Sequence, residues 1–120
     1  MAKNLEISFL LDFYGSMLTD KQREVIEYYY NDDLSLAEIA ANEGITRQGV
    51  RDSIKRAEAQ LFDMEERLGL ARRFREMKAG LEQIHFAAVY IQEYNSLTAQ
   101  SPEIEQNVRC IMEIAQSLCD

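Results

Sequence analysis

From Val50 to Leu68 the apolar residues step by four, three, four, three and four: Val50, Ile54, Ala57, Leu61, Met64 and Leu68. A second run, Leu70, Phe74, Met77, Leu81, Ile84, Ala88 and Ile91, alternates in the same way, and so does a third, Ile104, Val108, Ile111, Ala115 and Leu118. Residues three and four apart share one face of an α-helix, whereas a half-buried strand needs a period of two. The first two runs fall out of phase at Gly69, where Leu68 to Leu70 is a step of two. Two residues turn a helix by about 200°. One straight helix would throw its stripe onto the opposite face, so the spacing predicts a break at Gly69 or a helix that changes partners there. Five Gly and one Pro in 120 residues supply too few turns for a β sandwich or barrel. With 47% hydrophobic residues the chain can bury a core, which excludes wholesale disorder.

The remaining punctuation is also helical. Leu5, Phe9, Leu10 and Phe13 predict a helix over about 4–14, ended by Gly15-Ser16. Thr19-Asp20-Lys21-Gln22 and Ser35-Leu36-Ala37-Glu38 each have the form of a capping box, in which residue one and residue four satisfy each other's orphan amides. The first opens a helix with the stripe Val25, Ile26, Tyr29 and Tyr30, closed by Asn31-Asp32-Asp33. The second opens a short helix closed by Gly44, and Thr46 caps the next. The polar stretch Asn95–Gln100 reads as a loop, and Ser101-Pro102-Glu103 restarts a final helix with a cap, a first-turn Pro and an acid.

Residues 35–57, SLAEIAANEGITRQGVRDSIKRA, combine a short capped helix, a Gly turn and a longer capped helix. This is the plan of a helix-turn-helix. Ala40 is small where the helices cross, and Ile39, Ile45, Val50 and Ile54 are expected to face inward. The exposed start of the second helix then carries Thr46, Arg47, Gln48, Arg51 and Lys55. In a DNA-binding helix-turn-helix this end enters the major groove. Arg and Gln suit bidentate bonds to base edges, and Thr or Lys suits phosphate. Glu43 departs from the pattern, because such motifs usually place an apolar residue there. The plainer alternative is two antiparallel bundle helices joined by an ordinary Gly turn.

The net charge of −8 argues against a general basic coat for nucleic acid or anionic membranes, but it averages unlike parts. Residues 1–44 carry −6, residues 45–78 carry nine bases against six acids for +3, and residues 79–120 carry −5. A nucleic-acid contact must therefore be local to 45–78. Arg72, Arg73, Arg75 and Lys78 form a second basic cluster there, read either as a phosphate contact or as a solvated helix face.

The stretches FLLDFYGSMLTDKQREVIEYYYNDDLSLAEIA and ITRQGVRDSIKRAEAQL give residues 9–85 a resemblance to the YlxM family of small bacterial helix-turn-helix proteins. The block from Leu18 to Leu61 is also similar to the fourth conserved region of sigma factors, which recognises promoter DNA. That resemblance implies a sigma-region-4-like fold and DNA-facing positions at Thr46, Arg47, Gln48, Arg51, Lys55 and Arg56. It also implies a link to the signal recognition particle, beside whose protein components such a family is typically encoded.

Other chemistries find little support. No Gly-rich phosphate loop, serine elbow or His/Cys pairing suggests an enzyme, and no cofactor is expected. His85, the single histidine, has no set of partners at zinc-ligand spacing. Asn31-Asp32-Asp33 lacks the alternating oxygens of a cation loop. Of Tyr28-Tyr29-Tyr30, one or two are expected in the core, because three consecutive residues cannot share a face. Cys110 and Cys119 point to opposite faces of one helix, so they do not bridge. Two cysteines and no signal-peptide core point to a reducing cytoplasm, and no apolar run spans a membrane.

The expected architecture is all-α: a helix-turn-helix domain over 1–68 and a C-terminal helical arm over 69–120. The arm's average spacing of about 3.5 suits dimerisation as well as packing. The expected function is a DNA-binding regulator, a homodimer acting in or on the signal recognition particle pathway. The alternative is a protein- or RNP-interaction module of that pathway that uses the helix-turn-helix only as scaffold.

Overall fold

Every helix start that the sequence signals is closed by the side chain that signals it. The computed structural model describes residues 2–120, which hold six α-helices and no strand. They are α1 (Leu5–Tyr14), α2 (Asp20–Tyr30), α3 (Leu36–Glu43), α4 (Arg47–Leu68), α5 (Leu70–Leu97) and α6 (Pro102–Cys119), with one 3-10 turn at Gly15–Met17. Asn4 caps α1, both capping boxes form at Thr19 and Ser35, and Thr46 and Ser101 cap α4 and α6.

The phase slip at Gly69 is a true break. Gly69 is left-handed with φ 63°, and its N–H closes α4 on the Glu65 carbonyl at 2.8 Å. A residue with a Cβ is strained in that conformation. The amides that open α5 are met by side chains from elsewhere. Tyr14 Oη accepts from Leu70 N at 3.1 Å, and Glu65 Oε1 accepts from Ala71 N at 3.1 Å. Tyr14 Oη also donates to Glu65 Oε1 at 2.7 Å, which closes the network.

One expected loop is shorter than its polarity suggested. Asn95, Ser96 and Leu97 are helical, the last residues of α5. Asn95 is buried, its Nδ2 donates to the Ser101 carbonyl at 2.9 Å, and its Oδ1 accepts from Ser101 N at 3.0 Å. Its own carbonyl accepts from Gln100 N at 2.8 Å, and Gln100 takes the positive φ of 51° that turns the chain. The turn thus folds around Asn95 instead of starting there.

The chain divides into two compact units, residues 1–71 and 72–120. The first packs α1 to α4 around Ile7, Leu10, Tyr14, Ile26, Ile39, Val50, Ile54 and Leu61, all fully buried. Tyr29 and Tyr30 are buried with their rings edge-to-face at 5.2 Å, while Tyr28 is half-buried.

In the second unit α5 and α6 run antiparallel. Gln92 Nε2 donates to Glu105 Oε1 at 3.1 Å near the turn, and Cys119 Sγ lies 3.8 Å from the Lys78 carbonyl at the far end. Small residues fill the seam: Ala88, Val108 and Ala115 are buried. Leu81, Val89 and Met112 are half-buried, while the other large apolar residues of the hairpin stay outside. Phe74, Met77, Ile84 and Ile91 of α5 and Ile104, Ile111, Ile114 and Leu118 of α6 stay 37–61% exposed. Cys110 and Cys119 are free thiols. Among the described residues no helix is long and apolar enough to cross a membrane.

Candidate nucleic-acid interface

The first turns of α4 are positioned by what lies beneath them. Val50, Ile54 and Ala57 are wholly buried and seat one side of the helix on the core. Gly44, left-handed at φ 68°, ends α3 on the Ala40 carbonyl and turns the chain. Ile45 N then reaches back to the same carbonyl at 3.2 Å. The expectation that Ile45 packs inward is corrected here, since the residue is 41% exposed. It sits in the turn itself, where the backbone is committed to closing α3, and its Cδ1 lies 3.7 Å from where a Cβ on Gly49 would stand, against the first turn of α4.

Glu43, the departure from the usual pattern, is held by charge. Its side chain is only 5% exposed and forms an ion pair with Lys21 of α2. The hydrogen bond to Glu43 raises the Lys21 pKa. An apolar contact between α2 and α3 is replaced by a clasp.

All six residues expected at the interface are exposed: Thr46, Arg47, Gln48, Arg51, Lys55 and Arg56. Arg47, Arg51 and Lys55 follow one another at intervals of four, so they advance by only about 40° each and form one stripe. Arg56 lies about 140° around the helix from Arg51, so it stands apart from that stripe. Thr46 Oγ1 accepts from Gly49 N at 2.9 Å, which leaves its own hydrogen to donate. A Cβ on Gly49 would come within 3.2 Å of that oxygen, so glycine keeps the cap undisturbed.

The acids near this stripe are occupied elsewhere. Asp52, which could reach Arg56 across one turn, instead accepts from Gln48 Nε2 at 2.9 Å. Glu58, three residues beyond Lys55, accepts from Tyr30 Oη at 3.3 Å. Arg47, Arg51, Lys55 and Arg56 accordingly make no ion pair among the described residues. Lys3, Lys21, Arg23, Arg67 and Arg109 each have one, with Asp33, Glu43, Glu27, Asp63 and Glu105. Asn4 N, donating to Tyr30 Oη at 3.3 Å, completes the arrangement that draws Glu58 away. Sequence reasoning missed that arrangement, because the three residues are far apart in the chain and no local signal marks them. Within the described residues no group of three or more His, Cys, Asp or Glu is placed to hold a metal.

Comparison with known proteins places this geometry in a family. The family described as "Putative helix-turn-helix protein, YlxM / p13 like" matches residues 1–101. A UPF0122 protein of Thermoanaerobacter sp. (strain X514) is 44% identical over 114 residues, covering 95% of this chain and 92% of that protein. One from Caldanaerobacter subterraneus subsp. tengcongensis is 51% identical over 80 residues, 67% of this chain and 68% of its own. One from Bacillus velezensis is 40% identical over 106 residues, 88% of this chain and 96% of its own. The family match and the matches over 114 and 106 residues continue past His85, where the motif-based resemblance stops. With its capped α3, left-handed Gly44 and exposed α4, the chain belongs to the YlxM / p13-like family of helix-turn-helix proteins.

Proposed function

We propose that this chain is a non-enzymatic regulator that reads duplex DNA with the first turns of α4 and acts as a homodimer joined through α5 and α6. The observation that carries the DNA reading is the absence of an ion pair at Arg47, Arg51, Lys55 and Arg56, all four on α4, whereas Lys3, Lys21, Arg23, Arg67 and Arg109 each pair with an acid. Cations left unpaired on a reading helix are available to displace the counterions of a phosphate backbone. Arg47, Gln48 and Arg51 take the base edges, while Thr46, Lys55 and Arg56 hold phosphate. The resemblance to the YlxM family ties this regulator to the signal recognition particle pathway.

The homodimer rests on the uncovered face of the α5–α6 hairpin. Eight large apolar residues at 37–61% exposure amount to about 800 Å², which is the area one partner contributes to a standard interface. Monomers rarely expose a single apolar patch beyond roughly 300–600 Å². A second hairpin laid on this face would make a four-helix bundle.

A genomic DNA pull-down with purified protein at two salt concentrations tests the DNA reading. Enrichment at low salt that falls steeply as salt rises is the expected result. No enrichment at low salt would leave the rival reading, a protein- or RNP-interaction module built on a helix-turn-helix scaffold. That rival draws on the −5 charge of residues 79–120, where docking through apolar surface would be far less salt-sensitive.

A further inference from the structure

Helix α5 has a third side that neither α6 nor the uncovered apolar face uses. Phe86, Tyr90, Tyr94 and Leu97 are 62–83% exposed, more than almost any other large apolar residue of the chain. Their intervals of four, four and three keep all of them within about 80° of the helix circumference. Tyr90 lies about 160° around from Ala88 of the seam, so the stripe looks away from α6. Over its length of about 16 Å it presents three rings and a leucine in a row. Isolated exposed apolar residues need no explanation, but an aromatic row at helical spacing does.

The surrounding charge selects the occupant. From Ala79 to Val108 the chain has no Lys or Arg and has the acids Glu82, Glu93, Glu103 and Glu105. Glu82 and Glu93 flank the stripe on one edge, about 40° and 20° from Phe86. Stacking on single-stranded bases requires a basic groove beside the rings. An interfacial membrane helix carries Lys and Arg on its polar face. A second copy of the same stripe would set acid against acid. What fits is a protein surface with an apolar groove rimmed by Lys and Arg, in which an amphipathic helix lays its anchors.

We propose that the Phe86–Tyr90–Tyr94–Leu97 stripe is a docking surface for a partner protein that presents a cation-rimmed apolar groove. Tyr and Phe give large contact area with few rotamers to freeze, which suits them to anchor an interface. The stripe shares no residue with the α4 positions or with the hairpin's other apolar face.

The test uses the full chain and, as the probe, a fluorescent helical-hairpin peptide whose leucine groove between two helices is rimmed by lysine, followed by anisotropy. The wild type is expected to bind, and the triple variant Phe86→Ala, Tyr90→Ala, Tyr94→Ala to bind about tenfold more weakly or less. Since the three side chains are exposed, circular dichroism should show an unchanged helix content. The double charge reversal Glu82→Lys, Glu93→Lys should weaken binding while keeping every ring. Met17→Ala, an exposed apolar residue of the first unit, should leave it within about twofold. Equal binding by wild type and the triple variant would overturn the assignment. So would ring-dependent binding of a single-stranded oligonucleotide or of anionic phospholipid vesicles in place of the peptide.

Discussion

Arg51 sits between Arg47 and Lys55 on α4, with a cation one turn away on each side. If it reads a base, Arg51→Ala should cost about 1–3 kcal/mol in binding to the preferred duplex and relax the preference at one position. Lys55→Ala should weaken all duplexes alike and lower the salt slope by about 1. Binding titrations at several salt concentrations separate the two outcomes. The same geometry has a cost without DNA. Like charges four apart on a helix repel by roughly 0.2–0.5 kcal/mol per pair. Arg51→Ala relieves two such pairs, so the DNA-free variant should melt slightly higher than wild type in a calorimetric scan. The exposure of these residues was legible in the sequence, since Val50, Ile54 and Ala57 fix which side of α4 is buried. That their charges stay unpaired was not legible. Asp52 and Glu58 are close enough in sequence to pair with Arg56 and Lys55, and only the folded contacts with Gln48 and Tyr30 draw them off.

At the scale of the element, local signals were read well and distant ones not at all. Both capping boxes and the phase slip at Gly69 involve residues within one turn of each other, and each is found where the spacing put it. The network that opens α5 joins Tyr14 to Glu65 across 51 residues, a distance that periodicity cannot span. Ile45 departs from the inward pattern because a turn residue does not follow the period of the helices on either side. The polarity of Asn95 suggests a loop and hides its burial. Tyr14→Phe should remove one bond from the Glu65 carboxylate, which keeps Ala71 N, and strand the Leu70 amide, and it should cost about 1.5–3 kcal/mol, measured by urea unfolding. Its pH dependence is distinctive. Burial, then the bond to Glu65, raises the Tyr14 hydroxyl above the ordinary phenol value of 10.0. The stability this supplies is complete below the unfolded phenol's pKa and is lost as pH rises through the folded value. Wild type should therefore lose stability above about pH 10 more steeply than Tyr14→Phe. The variant keeps the share belonging to Tyr30, whose hydroxyl burial also raises.

Across the whole molecule the two units bury their apolar residues differently. The first has a full core of large side chains, while the second closes on alanines and a valine and leaves its isoleucines outside. Ile84→Glu with Ile111→Glu places charge on that face and should convert the proposed dimer to monomer in sedimentation velocity. DNA affinity should fall with it, because one reading helix then works alone. The alanine seam carries a further consequence, one of molecularity. A hairpin that buries only Ala88, Val108 and Ala115 leaves its large residues to the proposed second chain, which would then supply the surface that stabilises it. Its folding is then second-order: the melting midpoint of residues 72–120 should climb as protein concentration rises, while that of residues 1–71 stays put. Occupancy of a paired DNA site would scale with the square of the amount of protein made, which turns expression level into a threshold.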